Sequence, residues 1–433
     1  MTRPVQGAID ALAEFAATAS AGGRVPRLAL HAADAVTARL AGGATAEGRA
    51  LQCLLQRIDP GLLGQVTADA AVMRLTEIDD IHRPTAVTVS ALTLPVALAF
   101  ATGDTPPERW FDALHVGQEL ALRLALAAGG ARLLARGQWP SLIAAPLGAA
   151  AAAGRLLGLP PERMRHALAL AIAQVTRSAG RPLGARTGRW LLFGAAVRSG
   201  CVAALAAADG VAGDPGLLDA AWLQAVGGDL ADAARLFPTE PLGEALSIKP
   251  HASAKQALAA VHGLRQLIDQ HGIAPDHIEA IELHVPPAYA SMLDREPPQA
   301  SRLASLVSAP WQLALAAYRP ELLDDVARER FPDDSRLTAF AGRVKVHADH
   351  ALNALYPAAF PARLVLRVNG NTHELLVTDS PGDPALPYDA PQLLAKARRM
   401  LGDGPGLAIV QAALRLPTDS TALRTLRAAF DHA

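Results

Sequence analysis

The sequence is poor in cysteine, with only Cys53 and Cys201 among 433 residues. Two thiols cannot build a disulfide framework, a four-cysteine zinc site or a protein-ligated iron–sulfur cluster. A reducing compartment fits this usage best, and Asp10 and Glu14 interrupt the first apolar pattern, which is therefore not that of a signal peptide. We predict a cytoplasmic protein.

The sequence also lacks an excess of charge of one sign. It has 40 basic and 41 acidic residues, a formal net charge of -1 and no single-sign run at either terminus. Because nucleic acid binding needs a basic surface, we expect no nucleic acid partner. Its 51% hydrophobic and 19% charged residues exclude a disordered chain, and its length suits two or three domains.

The usual cofactor motifs are absent. The glycine-rich piece at 210–216 follows no strand pattern and precedes no Gly-Lys-Ser/Thr, so it matches neither a phosphate loop nor a dinucleotide fingerprint. No Gly-x-Ser-x-Gly elbow occurs. His251, His262 and His271 are too irregularly spaced for a metal site. We therefore predict neither a metal nor an organic cofactor.

Two long stretches without charge, at 84–103 and 137–154, resemble membrane spans in length. The first is rich in Thr, and the second is mostly Ala, which is much less lipophilic than Leu. Helices buried on all sides within a large domain explain both stretches. We expect no membrane insertion.

Apolar periodicity divides the chain into a helical part and a mixed part. Ala and Leu at three- and four-residue spacing predict helices almost throughout the first 241 residues. Alternating patterns at 278–285 and 343–347, and a hairpin over 364–378 with Asn369-Gly370 at its turn, predict strands. The predicted fold is mainly α: an all-helical domain over 1–264, an α+β domain over 265–400, and C-terminal helices over 401–433 that pack back on the helical domain.

An acidic segment, Glu77-Ile-Asp-Asp-Ile-His82, immediately precedes a long apolar helix. One interpretation is an acidic first turn that caps the helix. The other is functional: flanks this apolar would bury at least one carboxylate together with His82, and buried charges need partners. The sequence leaves both open.

Two cationic segments accompany it. Lys249, His251 and Lys255 cluster at the junction of the predicted domains, where ligand sites are common. The second segment, 177–189, contains four arginines and is either a solvated loop or a clamp for substrate carboxylates.

The chain resembles the MmgE/PrpD family over nearly its whole length. The resemblance depends on the order of several modest motifs: Glu77–His82, Gly137–Ser141 with Arg155–Leu159, Gly194–Gly200, Ile248–His251 with Ala254–Gln256, Ser305–Ala314, and Tyr356-Pro357 with Gly382–Pro384. It implies a large all-helical domain, a smaller α+β lid domain, a homodimer, and a cleft that binds small di- or tricarboxylic acids without a cofactor. Family activities include 2-methylcitrate dehydration, cis-aconitate decarboxylation and iminodisuccinate epimerisation, all of which move a proton at carbon beside a carboxylate.

The candidate site residues combine positions that match the family motifs, namely Glu77, Asp79, Asp80, His82 and Lys249, with residues from the other motifs and from the cationic segments. The catalytic candidates are Asp79, Asp80, His82, Lys249 and His251. The substrate-binding candidates are Glu77, Trp139, Arg186, Arg189, Lys255, Ser308 and Trp311.

Three positions depart from the family pattern. Family histidines fall at Val87/Thr88 and at Trp139, and a family lysine falls at Arg189. Val, Thr and Trp cannot carry a proton as a neutral imidazole does, and Arg hardly gives one up. His82, His251 or Lys249 would then have to supply the base.

The sequence as a whole indicates a cofactor-independent lyase or isomerase for a small polycarboxylate. The missing histidines also allow a family member that has lost catalysis and acts as a binding or scaffold subunit. A third interpretation is an enzyme recruited to specialised metabolism.

Overall fold

The computed structural model describes residues 7–176, 188–228, 230–295 and 302–431. The fold is mainly α, as predicted. Its first ten helices are α1 (Ala8–Thr18), α2 (Val25–Gly43), α3 (Ala46–Ile58), α4 (Leu62–Met73), α5 (Ser90–Phe100), α6 (Pro107–Ala127), α7 (Pro140–Leu157), α8 (Pro161–Ala173), α9 (Gly188–Ala208) and α10 (Ala220–Val226). The later helices are α11 (Lys255–His271), α12 (Pro287–Leu293), α13 (Arg302–Ser305), α14 (Ala309–Tyr318), α15 (Ser335–Ala341), α16 (Ala390–Leu401), α17 (Pro405–Arg415) and α18 (Thr421–Asp431).

Small residues bring the central helices close together. A Cβ atom at Gly148 of α7 would lie 2.7 Å from the carbonyl oxygen of Gly117 in α6, so only glycine permits this approach. α5 lies within the first uncharged stretch and α7 includes most of the second, and both helices are buried over most of their length. Within the described ranges, α7 and α9 are long and apolar enough to cross a membrane, and 89% of the first and 50% of the second are buried in the fold.

A very short antiparallel ladder links the two halves of the chain. Strand β1 (Ile81–His82) pairs with β2 (Leu246–Ser247), Ile81 opposite Ser247 and His82 opposite Leu246. The acidic segment ends in β1, and Lys249 follows β2 by two residues. This ladder therefore brings the acidic segment and Lys249 to one place.

A four-stranded sheet forms the mixed part of the fold. It contains β3 (Ile278–Val285), β4 (Val344–Ala348), β5 (Ala362–Val368) and β6 (Asn371–Val377) in the order β4-β3-β5-β6, with only the β3–β4 pair parallel. The hairpin turn has positive φ at Asn369 and Gly370, as a type I′ turn requires. α11 packs across β5 and β6.

The chain has two hydrophobic cores, and the division between them does not coincide with the predicted domain boundaries. The second core includes residues from Ala257 to Val377, so the predicted boundary at 264/265 falls inside α11, whose buried side covers the sheet. Leu393 and Ala397 of α16 belong to the first core together with α17 and α18. The mixed part therefore ends before α16, and the C-terminal helices pack on the helical core.

Candidate active site

The acidic segment forms a turn between α4 and β1, and a lysine of α16, near the C-terminal end of the sequence, binds this turn. The Lys396 ammonium donates to the backbone oxygen of Ile78 at 2.8 Å and to Asp34 at 2.5 Å. Glu77 has a φ of 55°, in the left-handed region that residues other than glycine seldom adopt. Such strain is concentrated at functional sites.

Five charged side chains meet at this turn; we call them the acid–base cluster. They are Arg74, Glu77, Asp79, Arg189 and Lys249. Lys249 Nζ lies 3.0 Å from Glu77 Oε2 and 3.8 Å from Asp79 Oδ1, and Arg74 donates to Asp79 at 2.5 Å. Arg189 Nη2 lies 3.3 Å from Glu77 Oε1. Lys249 and Asp79 are fully buried, so these charges interact without screening by solvent.

The two carboxyl groups of the cluster differ in acidity. Burial favours the neutral form of Glu77, but Lys249, Arg74 and Arg189 outweigh it and lower its pKa to about 2. For Asp79 the balance is reversed: burial, with repulsion from Glu77, raises its pKa despite Arg74 and Lys249. Two neighbouring carboxyls whose pKa values are pushed apart are the usual signature of separate roles, one as a fixed charge and one as a proton carrier.

The cluster has more cations than carboxylates. Three cations face two carboxyl groups, and Arg189 Nε is buried without a hydrogen-bond acceptor among the described residues. The Asp79 Oδ1 atom likewise has no hydrogen-bond donor there. The Trp139 ring lies 5.6 Å from the Arg74 guanidinium carbon and 5.9 Å from that of Arg189. The arrangement can therefore accept an additional anion.

Two family models match the chain: the MmgE/PrpD N-terminal domain over residues 63–227 and the MmgE/PrpD C-terminal domain over residues 251–413. The chain belongs to the MmgE/PrpD family. Members of this family are typically lyases or dehydratases. A comparison with curated proteins finds no significant match.

The structure brings together four of the sequence-predicted site residues: Glu77, Asp79, Lys249 and Arg189. Trp139 lies against them. Four of these five residues lie in the matched N-terminal domain, and Lys249 lies in the segment between the two matched domains.

Asp80 is not one of the cluster residues. Its carboxylate accepts from the backbone N–H and the hydroxyl of Ser90, at 3.1 and 2.5 Å, and lies 3.0 Å from His31 Nδ1. These bonds, with the charge of His31, lower the pKa of Asp80 despite its burial. Asp80 therefore anchors Ser90, the first residue of α5, from outside the helix, and the acidic segment is not itself the first turn of that helix.

The two histidines proposed as replacement bases also lie elsewhere. His82 Nδ1 is 2.9 Å from the Thr85 hydroxyl, and burial lowers the pKa of His82 to about 3. His251 lines a separate cavity with Arg265 and Arg399. Neither ring forms a hydrogen bond or an ion pair with the acid–base cluster among the described residues.

The remaining predicted contacts are structural or outside the described part. Lys255 forms a buried ion pair with Asp383 at 2.6 Å, Ser308 donates to the backbone oxygen of Arg295, and Trp311 packs against Phe331. Arg186 lies outside the described residues.

The positions of the two family histidines hold no proton carrier in the structure. Val87 is buried and its backbone pairs with that of His82, while Thr88 is 1% exposed. Trp139 fills the second position beside Phe193. The substitutions therefore change the chemistry of the site and not its packing alone.

Arg74 is the cluster residue that sequence reasoning missed. It follows the last residue of α4 and binds both carboxylates of the turn. An arginine after a run as apolar as Ala70-Ala-Val-Met73, and three residues before an acid, was the available signal.

Proposed function

We propose that this MmgE/PrpD protein is a cofactor-independent lyase or isomerase for a small di- or tricarboxylic acid. The reaction is proton transfer at carbon next to a carboxylate, as in dehydration, decarboxylation or epimerisation. The proposal depends on the acid–base cluster. In this cluster the pKa of one carboxyl group is lowered and that of the other is raised, and three cationic side chains contact the two groups.

Asp79 is the proton carrier in this proposal. Its pKa is raised, as expected of a group that holds and releases a proton, and its buried Oδ1 atom has no hydrogen-bond donor among the described residues. Glu77, with its lowered pKa, stays ionised and orients Lys249 and Arg189.

Lys249 and Arg189 would bind the carboxylate next to the reacting carbon. When the proton leaves that carbon, negative charge spreads onto this carboxylate, and two cations in a buried site stabilise it more than water would. The missing histidines do not interrupt this step because Asp79 supplies the proton transfer.

Three finer features belong to the same proposal. We place the protein in the cytoplasm, take the mixed part of the fold as a lid over the helical part, and expect a homodimer. The lid and the homodimer follow from the resemblance described above, whereas the cytoplasmic location follows from the low cysteine content.

The test is proton exchange in deuterated water, followed by NMR with citrate, aconitate, malate and aspartate derivatives as candidates. Asp79→Asn should slow exchange or turnover by about 10²-fold or more, because removal of a general acid–base group typically costs that much. Lys249→Met should cause a similar loss.

Asp104→Asn and Lys345→Met are matched controls, because both side chains are exposed and remote from the cluster. They should leave exchange unchanged. Full exchange in Asp79→Asn would refute the assignment. No exchange by the wild type with any candidate would favour the binding or scaffold subunit, which the absence of imidazole at Val87 and Trp139 supports.

A further inference from the structure

Helix α16 contributes two cations that bind the backbone on both sides of the acid–base cluster. Lys396 and Arg399 are three residues apart in this helix, so their side chains leave it from neighbouring positions. The Lys396 ammonium donates to the backbone oxygen of Ile78 at 2.8 Å. Arg399 Nη2 donates to the backbone oxygen of Pro250 at 3.1 Å. One helix therefore holds both the acidic turn and the segment that follows β2.

Each of these backbone oxygens lies next to a charged residue of the cluster. The Ile78 carbonyl belongs to the peptide bond that leads into Asp79, and Pro250 directly follows Lys249. A hydrogen bond to either oxygen restricts the backbone from which the charged side chain projects. Through these two bonds, α16 acts on the proposed proton carrier and on the cation beside it.

Strand pairing does not extend to Asp79 and Lys249. Among the described residues, the β1–β2 ladder stops at the pair Ile81–Ser247; if its register continued, Asp79 would face Lys249. At this point Lys249 Nζ lies 3.8 Å from Asp79 Oδ1. Contacts from outside the ladder therefore hold the two segments here, and the bonds from α16 are two of these contacts.

The two cations of α16 are themselves held in place. The helix begins with a capping box at Asp389. Lys396 is fully buried and pairs with Asp34 at 2.5 Å, while Arg399 is about half exposed and pairs with Asp324 at 2.7 Å. Each cation is shared between a carboxylate and a backbone oxygen, so its position is fixed from two sides.

We propose that Lys396 and Arg399 are positioning residues, through which α16 sets the separation of Asp79 from Lys249. The inference rests on the proposed function, because this separation affects the reaction only if the two groups act on one substrate. Lys396 and Arg399 act through the backbone oxygens that they bind and do not touch the substrate. Since misplacement of a catalytic group by about 1 Å can cost about 10²-fold in rate, the loss of either bond should change the kinetics.

The first measurement is proton exchange in deuterated water by full-length variants, with citrate, aconitate, malate and aspartate derivatives. Lys396→Met should lower kcat roughly tenfold or more and change KM by less than about threefold, because it displaces Asp79. Arg399→Met should also raise KM, because Lys249 binds the substrate carboxylate. The double variant should lose less than the product of the two single losses, since both residues set one distance. Arg398→Met, at an exposed arginine of the same helix, is the matched control and should change neither constant.

The second measurement needs no substrate: acetylation of lysine side chains, followed by mass spectrometry. Lys249 is 1% exposed and should be protected in the wild type, whereas the exposed Lys345 reacts freely and is the internal reference. In Lys396→Met and in Arg399→Met, Lys249 should react at least roughly tenfold faster relative to Lys345, because its local structure opens more often. Lys255, which is buried in its ion pair with Asp383, should stay protected unless the whole fold loosens.

The two measurements separate the positioning role from the proposed function. Unchanged kcat and KM in the variants of an active wild type, or unchanged protection of Lys249, would overturn the positioning role. A joint rise in the labelling of Lys249 and Lys255 would also overturn it, because it would show general destabilisation. If Lys396→Met does not fold, Arg399→Met, at a half-exposed position, gives the decision. No exchange by the wild type would count against the proposed function, and the labelling alone would then decide the positioning role.

Discussion

Glu77 and Lys249 should contribute unequally to stability, although they form one ion pair. Removal of one partner from a buried pair typically costs 3–5 kcal/mol, because it leaves the other charge uncompensated. Lys249→Met, however, leaves Arg74 and Arg189 facing Glu77 and Asp79, so the cluster becomes balanced. Glu77→Gln leaves three cations facing only Asp79.

The pKa of Glu77 gives the size of the larger effect. The lowering of this pKa from 4.5 to about 2 corresponds to roughly 3 kcal/mol in favour of the ionised form, because one pKa unit equals about 1.4 kcal/mol. We expect Glu77→Gln to lower the free energy of unfolding by about that amount at pH 7. Lys249→Met should cost only about 1–2 kcal/mol, the usual cost of unmade buried hydrogen bonds.

Urea unfolding at several pH values measures both effects. Because the folded-state pKa of Glu77 is lowered, its contribution is complete above pH 4.5 and is lost as the pH falls towards 2. The difference in the free energy of unfolding between wild type and Glu77→Gln should therefore become smaller below pH 4.5. The exposed controls Glu279→Gln and Lys345→Met should change stability by less than about 0.5 kcal/mol. A cost for Lys249→Met equal to or above that of Glu77→Gln would contradict this account of the cluster.

Three further predictions concern positions outside the acid–base cluster. Gly148→Ala should lower the free energy of unfolding by about 1–3 kcal/mol, because it overpacks α6 against α7. Gly23→Ala is the control, since the space around Gly23 is open and no loss is expected. Equal urea midpoints for the two variants would refute this prediction. Gly382→Ala should destabilise the fold and weaken activity, because its φ is +89° and a Cβ there would lie 2.0 Å from the Ile248 oxygen; unchanged kinetics would contradict it. Burial raises the pKa of Asp34 to about 6. Its contribution to the free energy of unfolding should therefore decrease as the pH rises from about 4 to 6. Asp34→Asn should remove this pH dependence in urea titrations at several pH values.

The parts of the fold that the sequence predicts well have local causes. The type I′ turn follows from Asn369-Gly370, and the start of α8 follows from Pro161 in its first turn with Glu162 beside it. The boundary near 264 could not be located because α11 is one continuous amphipathic helix, and only the tertiary fold determines which core its apolar side joins.

The sequence likewise predicted one part of the candidate site and not another. Acids in an apolar setting predicted burial, whereas Lys249 could equally have been solvated or paired with a buried anion; the structure pairs it with Glu77. The separation of Asp80 from Asp79 was not predictable, because it depends on His31, a residue of α2 that no sequence spacing relates to the turn.

The contact between Lys396 and the acidic turn has a consequence for synthesis on the ribosome. The helical body occupies the first half of the polypeptide, yet Asp34 and the Ile78 carbonyl receive their cation only when α16 has been translated. Without that cation, burial favours the neutral form of Asp34 more strongly, since burial already raises its pKa to about 6 in the complete fold. A fragment that stops short of residue 390 therefore lacks the cation that holds the acidic turn in the complete fold.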